Sequence, residues 1–295
     1  MSSRKLSWYR PGDPWLMLLP TVAGLALFRL GPMLGSLLLG FADWNMLTPP
    51  AFIGLGNYTE LLADPVFPAV LRSTLEFSLL YVAGVMALGL AIALLLDRKA
   101  RGIGFFRAAF YSPVITSAVA VGIVWSWLLS PRYGLLNNLL ATLGLPEPYW
   151  LGDPRLALPT VAIVQVWKMS GYYMIIFLAG LQGIPHSLIE ASKIDGASPR
   201  QRFFTIILPL LSPTTFFVLN VALIDSFKNF ELIYAMTKGG PQNATNTLVY
   251  DVYLNGFVHY RTGYASALSY VLLACVALVT GLSFLAKKRW VKYQY

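Results

Sequence analysis

Apolar residues in this chain fall in long runs, separated by polar or Pro- and Gly-rich segments. A helix crossing a hydrocarbon core of ~30 Å needs about 20 apolar residues. Six stretches qualify, some with a tolerated break: Trp15–Leu39, Thr74–Leu96, Ala108–Leu129, Leu158–Leu181, Pro213–Ile233 and Ala267–Ala286. A membrane β-barrel would show strands of about ten residues with alternating polarity, and runs such as ALGLAIALLL do not alternate. The pattern predicts an all-α integral membrane protein of six spans. Residues 1–295 read as one transmembrane domain without a soluble domain.

Charge adds an orientation. Lys and Arg concentrate in cytoplasmic loops of membrane proteins. Here they cluster in alternate segments: Arg4, Lys5 and Arg10; Arg98, Lys99, Arg101 and Arg107; Lys193, Arg200 and Arg202; Lys287, Lys288, Arg289 and Lys292. The other loops are longer, yet hold only Arg72, Arg132, Arg155, Lys228, Lys238 and Arg261. Both termini and the polar insert at about 183–212 are therefore expected in the cytoplasm. The net charge of +9 is accounted for by topology and implies no nucleic-acid partner. Composition agrees, with 57% hydrophobic and 12% charged residues against the ~25% charged that a soluble surface carries. The basic start followed by an apolar run lacks a clean cleavage site and reads as a retained first span.

Candidate chemistry is sparse. There is one cysteine, Cys275, in an apolar run, and no P-loop, HExxH or CxxC spacing. The scattered acids do not converge as a membrane enzyme would require. No internal repeat of the kind common in secondary transporters is visible. A scaffold without transport activity would leave the polar insert unexplained.

That insert, IEASKIDGASPRQRFFTIILPLLSP from Ile189 to Pro213, is the densest polar segment of the second half. Ser187 and Glu190 have the spacing of a capping box, Asp195-Gly196 that of a turn with Gly196 left-handed, and Ser198-Pro199-Arg200-Gln201 that of a second box. Leu208-Pro209 is expected to break the second helix, and Ser212-Pro213 to cap the fifth span. As local structure this is helix–turn–helix at the membrane surface, and Glu190 needs no further duty than capping.

The complete pattern says more. Glu190-Ala191-Ser192, then Asp195-Gly196-Ala197, then Phe203, Phe204, Ile206 and Leu208-Pro209 resemble the EAA loop of ABC-importer permeases, with Ser192 in place of the second Ala. Further segments, such as GLLNNLLATLGLP, WKMSGYYMIIFLAGLQGIP and TKGGPQNATNTLVYDVY, resemble the carbohydrate-importing subset of maltose and glycerol-3-phosphate type. The GGP segment resembles the first-type subunit of a heterodimeric permease pair. The resemblance implies the type I ABC-importer permease fold in a prokaryotic inner membrane. It implies a second homologous permease, a homodimeric ATP-binding subunit that docks on Glu190, Ala191, Asp195, Gly196, Ala197, Leu208 and Pro209, and an external solute-binding protein. The cargo would be a sugar or glycerol phosphate. No cofactor is implied for this chain, because ATP and Mg²⁺ belong to the partner ATPase.

Polar residues inside the spans are the remaining candidates, since ionisable groups there usually face a bundle interior. Gln165, Lys168 and Tyr172 share one helical face of the fourth span, and Asp225 and Asn229 one of the fifth, with Ser226 adjacent. Lys168 and Asp225 fall about 15 and 18 Å into their spans at 1.5 Å per residue. They are expected at similar depth, facing each other as substrate-pathway residues or as a structural ion pair. Tyr81, Trp125, Trp127 and Trp150 read as interfacial aromatics.

Overall fold

A computed structural model describes residues 13–98 and 100–291. Arg4, Lys5, Arg10, Lys99 and Lys292 lie outside the described residues, as does the side chain of Arg289. The chain enters with α1 (Leu16–Leu39) and α2 (Phe67–Leu96). The pair α3 (Ile103–Ile115) and α4 (Ala118–Leu128) follows, bent by 96°. Next come α5 (Ala157–Gln182) and the short α6 (His186–Ile194). A second pair, α7 (Pro199–Leu210) and α8 (Ser212–Ser226), is bent by 66°, and α9 (Thr262–Lys288) closes the chain. Among the described residues four helices are long and apolar enough to cross a membrane, or up to six if each bent pair is one span. Among the described residues the only strands are Ala42–Asp43 and Ala51–Phe52, an antiparallel pair after α1.

The bends have local causes. Pro113 has no N–H for the Ala109 carbonyl, and Ser112 Oγ donates to that carbonyl instead at 2.9 Å. Three residues on, Thr116 and Ser117 are extended, with ψ of 142° and 129°. The expected span Ala108–Leu129 is thus two helices. The expected span Pro213–Ile233 also divides, because α8 ends at Ser226 and Glu231–Met236 is a separate helix. In contrast, α2 starts at Phe67, two turns before the expected Thr74. Its extra turns carry Arg72, which forms an i, i+4 ion pair at 2.7 Å with Glu76 just inside the expected span.

Between membrane helices hydrophobicity alone gives no preference, so close packing and small residues decide which faces meet. Gly84 lies against Val166, and Gly89 against Tyr173 and Met174, so α2 and α5 run parallel. Ser226 lies beside Ser78 and Thr214 beside Gly180, so α8 runs antiparallel to both. A Cβ at Gly171 would sit 2.1 Å from the Phe110 carbonyl oxygen, so glycine is what admits the α3 backbone against α5. Phe77, Tyr81, Tyr173, Met174 and Phe177 are buried in the resulting core. The insert follows the C-terminal end of α5, and the starts of α2 and α5 occupy the opposite end. Outside the core, α1 is unburied and reaches α9 through Tyr270, which donates to the Met33 carbonyl.

Candidate functional site

At the insert end, α6 closes by a Schellman arrangement. Gly196 N donates to Lys193 O at 3.1 Å and Ala197 N to Ser192 O at 2.9 Å, with Gly196 at φ +75°. Ser198 Oγ then accepts from Gln201 N at 3.2 Å, with Pro199 in the first turn of α7. The expected turn therefore forms, as does the Ser198 half of the second box. Two tight stops two residues apart leave little backbone freedom between α6 and α7.

The first capping box does not form. The helix starts at His186, Pro185 occupies the cap position, and no side chain caps it. Proline at 185 fixes an extended entry, so the helix begins two residues too early for Ser187 to cap. Glu190 is exposed and makes no hydrogen bond or ion pair among the described residues. Leu208-Pro209 also differs from expectation. The helix runs through Pro209 to Leu210, a π turn at Phe203–Ile207 precedes it, and the break falls at Leu211. A π turn re-pairs carbonyls that a proline downstream would otherwise leave free. Ser212 lies inside α8, and its Oγ donates back to the Pro209 carbonyl at 2.6 Å rather than capping.

The two faces of the insert differ. Ile184, Ile189 and Ser192 pack inward, with Ser192 Oγ donating to Ile189 O at 2.7 Å. Glu190, Ala191, Asp195 and Gly196 are exposed, and Ala197 is half-buried. Ile194 is 87% exposed beside them. The sequence signal for it is an aliphatic residue within a polar run. Leu208 and Pro209 are half-buried and line a hollow of ≈ 290 Å³ with Thr215 and Trp290, at the elbow rather than on the exposed turn.

Deeper in the bundle, Tyr81 donates to Asp225 Oδ2 at 3.0 Å and Tyr173 to the same oxygen at 3.4 Å, and the two hydroxyls lie 3.3 Å apart. Ser226 Oγ donates to Ser78 Oγ at 2.9 Å and lies 2.6 Å from Leu223 O. These bonds join α2, α5 and α8. Tyr81 is fully buried here and is not an interfacial aromatic, whereas Trp127 is exposed. Trp150 donates to Asn137 Oδ1 at 2.7 Å.

Lys168 is buried, but Nζ donates to the Val114 carbonyl at 3.1 Å, and no ion pair joins it to Asp225 among the described residues. Five helical residues separate Lys168 from Tyr173, a rotation of roughly 140° at 100° per residue. The two groups therefore leave α5 on different faces. Gln165 is half-buried without a hydrogen-bond partner among the described residues. Tyr172 is half-buried and meets Tyr173 edge-on at 5.1 Å. Asn229 is buried, and its Nδ2 has no partner among the described residues.

Comparison with known proteins agrees with this architecture. Residues 16–292 match the family described as binding-protein-dependent transport system inner membrane component. A probable ABC transporter permease of Bacillus subtilis is 37% identical over 280 residues, 93% of this chain and 90% of that protein. An sn-glycerol-3-phosphate transport system permease of Agrobacterium fabrum is 39% identical over 244 residues, 82% of this chain and 83% of that protein. A bacterial ABC transporter that imports the acidic polysaccharide alginate superposes with a TM-score of 0.83 at 25% identity, covering 94% of this chain and 96% of that chain. By both sequence and fold, the chain belongs to the family of inner-membrane components of binding-protein-dependent transport systems.

Proposed function

We propose that this permease carries a sugar or a glycerol phosphate inward, and that its exposed turn at Glu190–Ala197 receives the ATPase. The observation that carries the coupling reading is the state of Glu190: exposed, free of any capping duty, and beside exposed Ile194. Docking surfaces combine an apolar anchor with charged groups that set orientation. The two-stop turn suits transmission, because a rigid α6–α7 unit moves as a body and levers α5 and α8 through Ser192, Leu208 and Pro209. A floppy loop would absorb the same displacement.

In this account residues 1–295 act as one membrane unit with a cytoplasmic coupling loop at about 183–212. The partners are a second homologous permease, a homodimeric ATP-binding subunit that holds ATP and Mg²⁺, and an external solute-binding protein. This chain holds no catalytic group. Gln165, Tyr172, Asp225, Ser226 and Asn229 form the substrate pathway, and Lys168 borders it while holding the α3–α4 bend. The cargo class follows the glycerol phosphate and acidic polysaccharide relatives, and a Tyr–Asp–amide lining suits hydroxyl-rich solutes.

The test is uptake by the reconstituted transporter with its binding protein. ATP-dependent uptake that persists when ion gradients are collapsed supports the reading. Uptake driven by an ion gradient without ATP would establish a secondary transporter instead.

A further inference from the structure

At the end of the bundle opposite the insert, the first turns of α2, the entry to α5 and the loop at 242–244 enclose an open cavity of ≈ 440 Å³. Arg72, Ser73 and Glu76 line it from one side of α2, Arg155 from the turn before α5, and Gln242 and Asn243 from the loop. Arg72 Nε donates to Glu76 Oε1 at 2.7 Å, so this pair is internally neutral. Arg155 is different. Its backbone N–H is fixed on Asp153 Oδ1 at 2.8 Å, but its guanidinium has no partner among the described residues. The lining therefore carries one uncompensated positive charge with a planar fork of donors.

The loop is held in place above it. Gln242 and Asn243 have φ of +50° and +61°, the left-handed region that asparagine tolerates and a side chain such as that of Gln242 rarely adopts. Ser73 Oγ donates to Ala244 O at 3.3 Å and Thr245 Oγ1 to Gly240 O at 2.7 Å, which fasten the loop on either side of the two amides. Strain retained at a cavity rim by surrounding bonds is characteristic of binding sites. Leu158 also lines the cavity, and Gln165 and Tyr172 follow it on α5 at steps of seven residues, which keeps all three on one helical stripe. The cavity thus stands at the head of the stripe assigned to the pathway.

We propose that this cavity is a reception site for a hydroxylated anion, a phosphorylated or carboxylated polyol or sugar, ahead of the pathway. The Arg155 guanidinium takes the anionic oxygens in its fork, as arginine does for phosphate and carboxylate. Glu76, Gln242 and Asn243 supply acceptors and donors for hydroxyls. The volume lies within the roughly 300–1,000 Å³ of small-molecule pockets, and its concavity fits a solute better than a protein surface. The proposal deepens the import reading and rests on it for the solute class.

The test is equilibrium dialysis of radiolabelled sn-glycerol 3-phosphate against the assembled transporter in nanodiscs, without ATP or binding protein. Saturable binding is expected at millimolar probe, with competition by inorganic phosphate and not by glycerol. Arg155→Ala should weaken it about tenfold or more, as loss of a charged hydrogen bond does, and Arg155→Lys should recover part. Arg155 is exposed, so neither change disturbs packing. Absent wild-type binding, or equal binding by Arg155→Ala, overturns the proposal. A loss confined to binding-protein affinity overturns it too, making Arg155 a docking residue. Failure of the import reading shows separately, as absence of ATP-driven uptake by the wild-type transporter.

Discussion

Lys168 Nζ lies 3.1 Å from the Val114 carbonyl, so its ammonium rests on the last turn of α3, beside the 96° bend between α3 and α4. The final carbonyls of a helix lack intrahelical donors, and a cation there also complements the helix dipole. Lys168 therefore holds a broken span, and Asp225 is held by other groups.

That separation has an energetic signature. Lys168→Met and Asp225→Leu should destabilise the detergent-solubilised protein almost independently, coupling by less than about 1 kcal/mol. A double-mutant cycle on unfolding free energies measures it. Coupling of several kcal/mol would show that the two charges form a buried pair after all.

The hydroxyls around Asp225 give a second expectation. Asp225→Asn retains an acceptor for Tyr81 and Tyr173 and should leave the fold intact. Asp225→Leu leaves two buried hydroxyls to find other partners, at about 1–3 kcal/mol for each one left unsatisfied. Equal melting temperatures for the two variants would remove the structural role of this cluster.

A third prediction concerns pH. Burial holds the Asp251 carboxyl above its ordinary range; donation from Asn246 opposes the shift and the charge on Asp64 adds to it. The folded state thus favours the protonated acid. Its stabilising contribution is full below the unfolded value of about 3.9 and is lost as pH rises through the raised value. Asp251→Asn should flatten that decline. It also offers a donor to Asn246 Oδ1, which is buried without a partner among the described residues. Thermal midpoints at pH 5 and pH 8 check this: the variant should gain on wild type at pH 8, and a variant less stable than wild type at pH 8 contradicts the account.

Sidedness is the fourth. Reporters at Arg200 and Lys288 should read cytoplasmic, and those at Asn57, Glu147 and Gln242 external. An external reading at Arg200 would leave the insert out of reach of any ATPase.

Much of this was legible in the chain and some was not, for physical reasons. Length and apolarity gave α1, α2, α5 and α9, because a helix in lipid must satisfy its own backbone. The turn at Gly196 and the Ser198 cap were readable because local geometry alone decides them. The missing cap at Ser187 was not, since Pro185 moved the helix start by two residues. Nor was the 96° bend, where Pro113 signals a break but not its angle. The partners of Asp225 and Lys168 depend on how α2, α3, α5 and α8 are rotated about their axes. Depth along a span, which the sequence does supply, leaves that rotation free.

The coupling turn is the centre of the account. Glu190→Lys changes an exposed side chain without partners among the described residues, so the permease itself should fold and insert at wild-type yield. The most direct measurement is binding-protein-stimulated ATP hydrolysis together with uptake by that assembled variant. Loss of uptake and of stimulation by an order of magnitude or more is expected, about 1.4 kcal/mol per tenfold. Wild-type uptake and stimulation in the Glu190→Lys transporter would contradict it.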